Sequence, residues 1–299
     1  MKKLFFYGVM MLAALSAGAQ TAVPGSMHRV GTSEGGKAVI SPDGSFVVSQ
    51  TVDGLKKTDL ATGESTIVAK GNNLYDISIS ADGRHVVYTR PTFNKEHLRY
   101  NSLESVDLLN GKNTVIVKPT RKLNAGIALS GNTVNAVSGG KARVKSLDGS
   151  KAAKAPVASI SYGHLQVTGT DGKTVTIDPQ GRASYLWPSV SPDGTRVLYR
   201  LSGVGTFTCN LDGSDVHRVG NYMFPVWAGN GTVVGVREVE GDSQQLVAST
   251  LVAVNLADGT ASDLTPADMI ATAPSCTADG ATVAFTAQDG GIYTLSLTH

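Results

Sequence analysis

The residues best suited by type and spacing to do chemistry in this 299-residue chain are two aromatics and two charges that share one register. Trp187 and Phe224 each stand six residues before a turn position, Asp193 and Asn230; Lys37 and Asp76 stand in the same place before Asp43 and Asp82. An aromatic face that stacks on a sugar or a peptide, with a cation and an anion to fix orientation, is binding chemistry rather than bond-breaking chemistry. Tyr185 and Tyr222 flank the two aromatics in Tyr185-Leu186-Trp187-Pro188 and Tyr222-Met223-Phe224-Pro225. Two further segments concentrate charge. Residues 91–100 are basic and carry Phe93, Lys95, Arg99 and Tyr100, while the segment from Arg237 to Gln245 is mostly acidic and includes Glu240.

Catalytic constellations are sparse by comparison. There is no His-Glu-x-x-His, no Cys-pair zinc spacing and no glycine-rich phosphate loop leading into a helix. Of the histidines, only His164 is expected to approach the site, and a single imidazole is more often structural than a ligand. The expectation is therefore no catalytic residue, no metal ligand and no cofactor.

The elements that must position these residues are read from a repeat. Ser41-Pro42-Asp43-Gly44 precedes Phe46-Val47-Val48, and Ser80-Ala81-Asp82-Gly83 precedes Val86-Val87-Tyr88. The phrase returns as Ser191-Pro192-Asp193-Gly194 before Val197-Leu198-Tyr199, and as Thr277-Ala278-Asp279-Gly280 before Val283-Ala284-Phe285. A second set of turns alternates with the first: Thr62-Gly63, Asn110-Gly111, Asp148-Gly149, Gln180-Gly181, Asp212-Gly213 and Asp258-Gly259. Two alternating turn series joined by short apolar runs describe a radial array of four-stranded sheets, with the first series as A–B turns and the second as C–D turns. The Asp of each A–B turn is expected to accept backbone N–H bonds within its own turn rather than to hold calcium.

The fold class predicted is thus all-β, a β-propeller of four-stranded blades, seven-bladed with six as the alternative. The blades run over about 33–70, 71–119, 120–155, 156–186, 187–220, 221–266 and 267–299. The third has a decayed turn at Ser130-Gly131-Asn132, and the fourth keeps its strands while losing the Asp-Gly phrase. The last blade lacks a strand D. Met27-His28-Arg29-Val30-Gly31 matches Val216-His217-Arg218-Val219-Gly220, so the N-terminal strand is expected to pair near Tyr293 and close the ring. In this frame the register of Lys37, Asp76, Trp187 and Phe224 is the start of strand A, beside the central mouth; the competing reading is that the aromatics wedge between blades. The segments 91–100 and 237–245 become B–C loops on the mouth's face. Lys141, Arg143, Lys145, Lys151 and Lys154 fall on outer strands C and D of the third blade, as a solvated basic edge.

Ser41-Pro42-Asp43-Gly44 and Trp187-Pro188-Ser189-Val190-Ser191-Pro192-Asp193-Gly194 resemble the WD40-like repeats of the TolB C-terminal propeller family. The resemblance spans nearly all of the chain after the leader, and four of seven repeats carry it clearly. It implies a propeller whose central mouth binds partners, often peptide segments. The namesake's additional N-terminal domain has no room here, so its specific partners are not carried over.

Lys2 and Lys3, the apolar stretch from Leu4 to Leu15, and Ala17-Gly18-Ala19 read as a signal peptide over 1–19, followed by one domain over 20–299. No cysteine stands at the cut, and no later stretch could span a bilayer, so a periplasmic or secreted protein without membrane insertion is expected. The chain has 26 basic and 24 acidic residues; without Lys2 and Lys3 there are 24 of each, which argues against a general nucleic-acid binder. Cys209 and Cys276 replace core apolar residues in different repeats and are expected as buried free thiols. The function expected is a monomeric, non-catalytic binding or scaffold module engaging a protein, peptide or glycan at the mouth. A metal-dependent polysaccharide lyase and a structural subunit of an envelope assembly are the alternatives.

Overall fold

In the computed structural model, residues 18–34, 36–241 and 245–298 are described. Residues 1–17, most of the signal peptide expected over 1–19, lie outside them, as do Asp242, Gln244 and His299. The chain is a seven-bladed β-propeller of antiparallel sheets. Its first strand, β1 (His28–Thr32), belongs to the last blade. Blade 1 is β2 (Ala38–Ile40), β3 (Phe46–Thr51), β4 (Gly54–Asp59) and β5 (Ser65–Lys70). Blade 2 is β6 (Tyr75–Ile79), β7 (His85–Phe93), β8 (Arg99–Asp107) and β9 (Asn113–Thr120). Blade 3 has β10 (Ala128–Ser130), β11 (Thr133–Ser138) and β12 (Lys141–Ser146); blade 4 has β13 (Val157–Ser161), β14 (His164–Thr168) and β15 (Thr174–Thr176). Blade 5 is β16 (Tyr185–Val190), β17 (Arg196–Leu201), β18 (Gly205–Asn210) and β19 (His217–Gly220). Blade 6 is β20 (Met223–Ala228), β21 (Thr232–Glu240), β22 (Leu246–Asn255) and β23 (Ala261–Asp263). Blade 7 is β24 (Ala271–Cys276), β25 (Thr282–Ala287) and β26 (Gly291–Ser296), completed by β1.

The apolar run after each Asp-Gly turn is strand B, buried on both faces. Successive side chains on a strand point to opposite sides. Val48 therefore packs with Ile77, Ile79 and Val86 of blade 2, while its neighbour Val47 packs with Ala284 and Ile292 of blade 7. Val86 and Val87 divide in the same way between blades 1 and 3. The core is accordingly a ring of clusters between blades rather than one central core. Cys209 is a member of the cluster between blades 4 and 5, and the half-buried Cys276 packs against the one between blades 6 and 7; both are free thiols. Burial pushes Cys209 up to about 11 and Cys276 up to about 12.

The Asp-Gly turns are built as expected. Ser41 Oγ donates to Asp43 Oδ1 at 2.7 Å, the Ser45 N–H donates to the same oxygen at 3.1 Å, and the Phe46 N–H closes onto Ser41 Oγ at 3.1 Å. Gly44 has φ 73°, which a Cβ would resist. The turns at 80–85, 191–196 and 277–282 repeat this pattern. They also clasp the next blade: the Asp82 N–H reaches Asn132 Oδ1 at 3.2 Å, Asp193 reaches Asn230 Oδ1 at 3.0 Å, and the Ala278 N–H reaches Pro42 O at 3.1 Å.

The ring closes by exchange between the chain's two ends. β1 pairs with β26 through His28↔Thr294 and Arg29↔Tyr293, and Ala22 bridges Leu297 beyond it.

The fourth blade departs from the expectation that it keeps its strands. Ala125 of blade 3 and Ile160 pair antiparallel, and the Tyr162-Gly163 turn lines one cavity with the Gly139-Gly140 hairpin. Tyr162-Gly163 is thus a B–C turn, and β13, β14 and β15 are strands B, C and D. The Asp-Gly phrase is missing because strand A, and with it the A–B turn, is missing. The C–D turn is at 169–172, where Gly172 closes on Gly169 O, and not at Gln180-Gly181. Residues 151–156 form no strand, so Lys151 and Lys154 do not lie on a strand D.

Candidate functional site

Strand A carries a bulge in four blades. The A–B ladder slips between Tyr75 and Ser78, Leu186 and Ser189, Met223 and Val226, and Thr272 and Ser275. At each bulge one residue takes the left-handed conformation: Asp76 (φ 51°), Trp187 (49°), Phe224 (49°) and Ala273 (50°). A bulge needs no ladder N–H at the extra position, which suits the Pro188, Pro225 and Pro274 that follow three of them. The register counted from the turns is therefore a conformational one, and it aims side chains at the channel.

Lys37, Asp76, Trp187 and Phe224, from blades 1, 2, 5 and 6, line one cavity of about 370 Å³ at the mouth. The Trp187 and Phe224 rings stack on each other with centroids 4.5 Å apart and planes tilted by 36°. Phe224 also touches the cluster between blades 6 and 7, so it fills both roles weighed for it. Ala273 holds the same register in blade 7, and its small side chain leaves the space open.

Lys37 is set by its neighbours. Its N–H donates to Gln50 Oε1 at 3.0 Å, and Gln50 Nε2 donates to Leu74 O of the next blade. A Cβ on Gly36 would stand 2.5 Å from Gln50 Cβ, so this approach requires glycine. Lys37 and Asp76 are both solvent-accessible, yet protein surrounds them on the sides of the cavity. That enclosure lowers the Lys37 pKa and raises that of Asp76, and each charge partly offsets the shift of the other. Arg99 arches in from the hairpin of blade 2, its guanidinium 4.9 Å from the centre of the Tyr75 ring, and its charge also acts on Asp76.

The other expected residues lie elsewhere. Tyr185 is buried in the core between blades 4 and 5, with its hydroxyl donating to Gly181 O at 2.8 Å; it is on the inward face of β16 and does not reach the mouth. Tyr222 packs over Gly220 and Gly235 at the junction of blades 5 and 6, outside the cavity. The expected loop 91–100 is mostly strand: β7 and β8 are nine residues each, and only 94–98 form the tip. Phe93 is 64% exposed there, and Phe93, Lys95 and Tyr100 do not line the cavity. In blade 6 the strands likewise extend through Arg237 and Glu240; Arg237 pairs with Asp263 at 2.6 Å, and Glu240 stays exposed.

Sequence reasoning missed Ala273, which counting six back from Asp279 would have found, and Gln50, whose role has no local signal. The sequence reading that there is no Gly-x-Ser-x-Gly elbow is corrected by Gly31-Thr32-Ser33-Glu34-Gly35, which has that spelling. Ser33 follows β1 and precedes no helix; its hydroxyl donates to Gly36 O at 2.7 Å and accepts from the Gly36 N–H at 2.9 Å. His164 Nδ1 sits 2.6 Å from Asp178 Oδ2 and is not among the residues of the mouth cavity. Among the described residues, no three His, Cys, Asp or Glu side chains are grouped to hold a metal. No described helix is long and apolar enough to cross a membrane.

No protein-family model and no curated protein matches the sequence. Among solved structures, the chain is similar to the β-propeller domain of Myceliophteria thermophila Cps50 (Swd1), at 12% identity and a TM-score of 0.61 over 91% of this chain and 100% of that one. It is similar to U3-55K at 9% identity and a TM-score of 0.63 over 92% and 99%. TolB from Acinetobacter baumannii aligns at 13% identity and a TM-score of 0.48 over 87% of this chain and 53% of its own. At these identities the likeness is one of fold.

Proposed function

We propose that this propeller is an exported, non-catalytic binding or scaffold module that takes a protein or peptide segment, or a glycan, at its central mouth. The observation that carries the reading is the convergence of Lys37, Asp76, Trp187 and Phe224, from four different blades, on one cavity of about 370 Å³. Three of these residues are held in a left-handed conformation that only a packed surround sustains, the kind of local strain that clusters at ligand sites. A stacked aromatic pair beside one cation and one anion suits a short segment that carries an apolar or ring group and charges of both signs. Export would follow from the leader over 1–19, with the periplasm or the cell exterior as destination.

The test is a titration of the mature protein with envelope-derived peptides and neutral and acidic oligosaccharides, followed by calorimetry in the parent and every variant and by tryptophan fluorescence where Trp187 is kept. Trp187 lies in the cavity and reports its occupancy. Trp187→Ala and Asp76→Asn should each weaken a bound ligand about tenfold, worth about 1.4 kcal/mol. A ligand held equally by both variants and the parent would overturn the reading.

A further inference from the structure

The third blade stops one strand short. Its strand C, β12, alternates exposed and half-buried residues along its whole length, whereas the equivalent β18 in blade 5 is buried at five of its six positions. The Gly139-Gly140 hairpin closes on Ser138 and Lys141, which fixes the direction of every backbone group on β12. Lys141, Arg143 and Lys145 turn their N–H and C=O toward β11, and Ala142, Val144 and Ser146 turn theirs outward. Among the described residues, no backbone hydrogen bond reaches that outward set.

The side chains divide by the same alternation. Lys141, Arg143 and Lys145 are exposed on one face and form no ion pair among the described residues. On the other face, Ala142 and Val144 line a cavity of about 240 Å³ with Ala155 and Val157. Lysines alone would be a guard against unwanted strand pairing. A guard needs neither a vacated strand position nor an apolar cavity beside it.

We propose that the open edge of β12 is a strand-addition site for an extended acidic segment of a partner protein. The added strand supplies the main-chain partners that strand D supplies in other blades. Its acidic side chains face Lys141, Arg143 and Lys145, and its alternate, small apolar side chains enter the cavity beside Ala142 and Val144. This surface lies on the outer part of the ring and is independent of the mouth.

The experiment uses the full chain and a fluorescent octapeptide of alternating glutamate and valine, followed by anisotropy and amide hydrogen exchange. Binding should slow exchange at Ala142 and Val144. It should weaken about tenfold or more when Lys141→Glu, Arg143→Glu and Lys145→Glu are combined, and equally when the peptide is N-methylated on its pairing edge. Three results would overturn the proposal: no binding, equal binding of the N-methylated peptide, or loss of binding on Trp187→Ala with the basic triad intact. Equal binding of the N-methylated peptide would mark adsorption by charge alone, as an anionic polysaccharide would show.

Discussion

Ala125 and Ile160 exchange two backbone hydrogen bonds, 2.8 and 3.2 Å long, across the gap between blades 3 and 4. The pairing is antiparallel. In a ring whose blades all begin with a strand running the same way, the innermost strands of neighbours run in one direction. An antiparallel contact therefore means that β13 is a strand B standing in the innermost place. The chain omits strand D of blade 3 and strand A of blade 4 together. Omitting both preserves direction, so the later blades keep their orientation; losing either strand alone would invert them.

The junction created by this omission is polar. Asn135, 2% exposed, donates to Ala153 O at 3.2 Å and accepts the Ala155 N–H at 3.2 Å, which holds the strandless segment against β11. Asn135→Val leaves both backbone groups without partners, at a cost of about 2 kcal/mol. Urea unfolding at neutral pH measures it, and a change under about 0.5 kcal/mol would show that water replaces the side chain without penalty.

Ring closure depends on the N-terminal segment. Deleting residues 20–32 removes β1 and the contacts of Thr21 and Val23 with Thr298 and Ser296, and leaves β26 with an open edge. The expected loss is about 10 °C or more in Tm, several kcal/mol in a chain of this size. An unchanged melting temperature in a calorimetric scan would mean that the seventh blade holds without its fourth strand.

The left-handed residues of the mouth reverse the usual order of two small substitutions. Trp187 at φ 49° is in a region that favours glycine. Trp187→Ala loses the stack with Phe224 and keeps the strain, while Trp187→Gly loses the stack and relieves it. The glycine variant should be more stable than the alanine variant by about 1 kcal/mol, which is the reverse of the order found in extended strands. Paired thermal melts of the two variants decide it.

Legibility in the sequence followed locality. The turn phrases are local, and Ser41, Asp43 and Gly44 each have their own bond or dihedral to satisfy, so the blades and their count could be read. Closure was legible because His28-Arg29-Val30-Gly31 repeats His217-Arg218-Val219-Gly220. Blade 4 was misread because a missing strand leaves no residues to count, and Gln180-Gly181 has the form of a turn wherever it sits. Tyr185 was misplaced for a different reason. It is two residues before Trp187, and the slip between Leu186 and Ser189 separates one residue facing the core from one facing the channel. Bulges of that kind show only in the pairing.

Channel electrostatics can be checked at Asp76. Enclosure raises its pKa above the usual aspartate value, and the Lys37 charge pulls it partway back. Lys37→Met removes the opposing charge, so the Asp76 pKa should rise further. A carboxyl-carbon NMR titration reads the shift directly. A pKa that falls or stays put in Lys37→Met would mean that Lys37 does not act across the channel.

Glu104 carries the reverse sign. It is 6% exposed, and its Oε2 accepts from Arg90 Nε at 2.9 Å, Asn113 Nδ2 at 3.1 Å and Tyr88 Oη at 3.2 Å, while Oε1 accepts from Ser102 Oγ at 2.8 Å. Burial alone would raise its pKa; the bonds from Arg90, Ser102 and Asn113 outweigh burial and hold it below the usual glutamate range. A carboxylate with a depressed folded pKa contributes stability that is fully present above its unfolded value, about 4.3, and is lost as pH falls through the folded value. Glu104→Gln should therefore destabilise by about 2 kcal/mol at pH 7, because the half-buried Arg90 loses its charged hydrogen-bond partner. The gap between parent and variant should narrow below about pH 4. Arg90 also donates to Lys70 O in blade 1 at 2.9 Å, so the loss should extend to the junction of the first two blades. Urea unfolding of both proteins between pH 3 and 7 tests both parts, and a gap that stays constant across that range would show that the carboxylate contributes by shape rather than by charge.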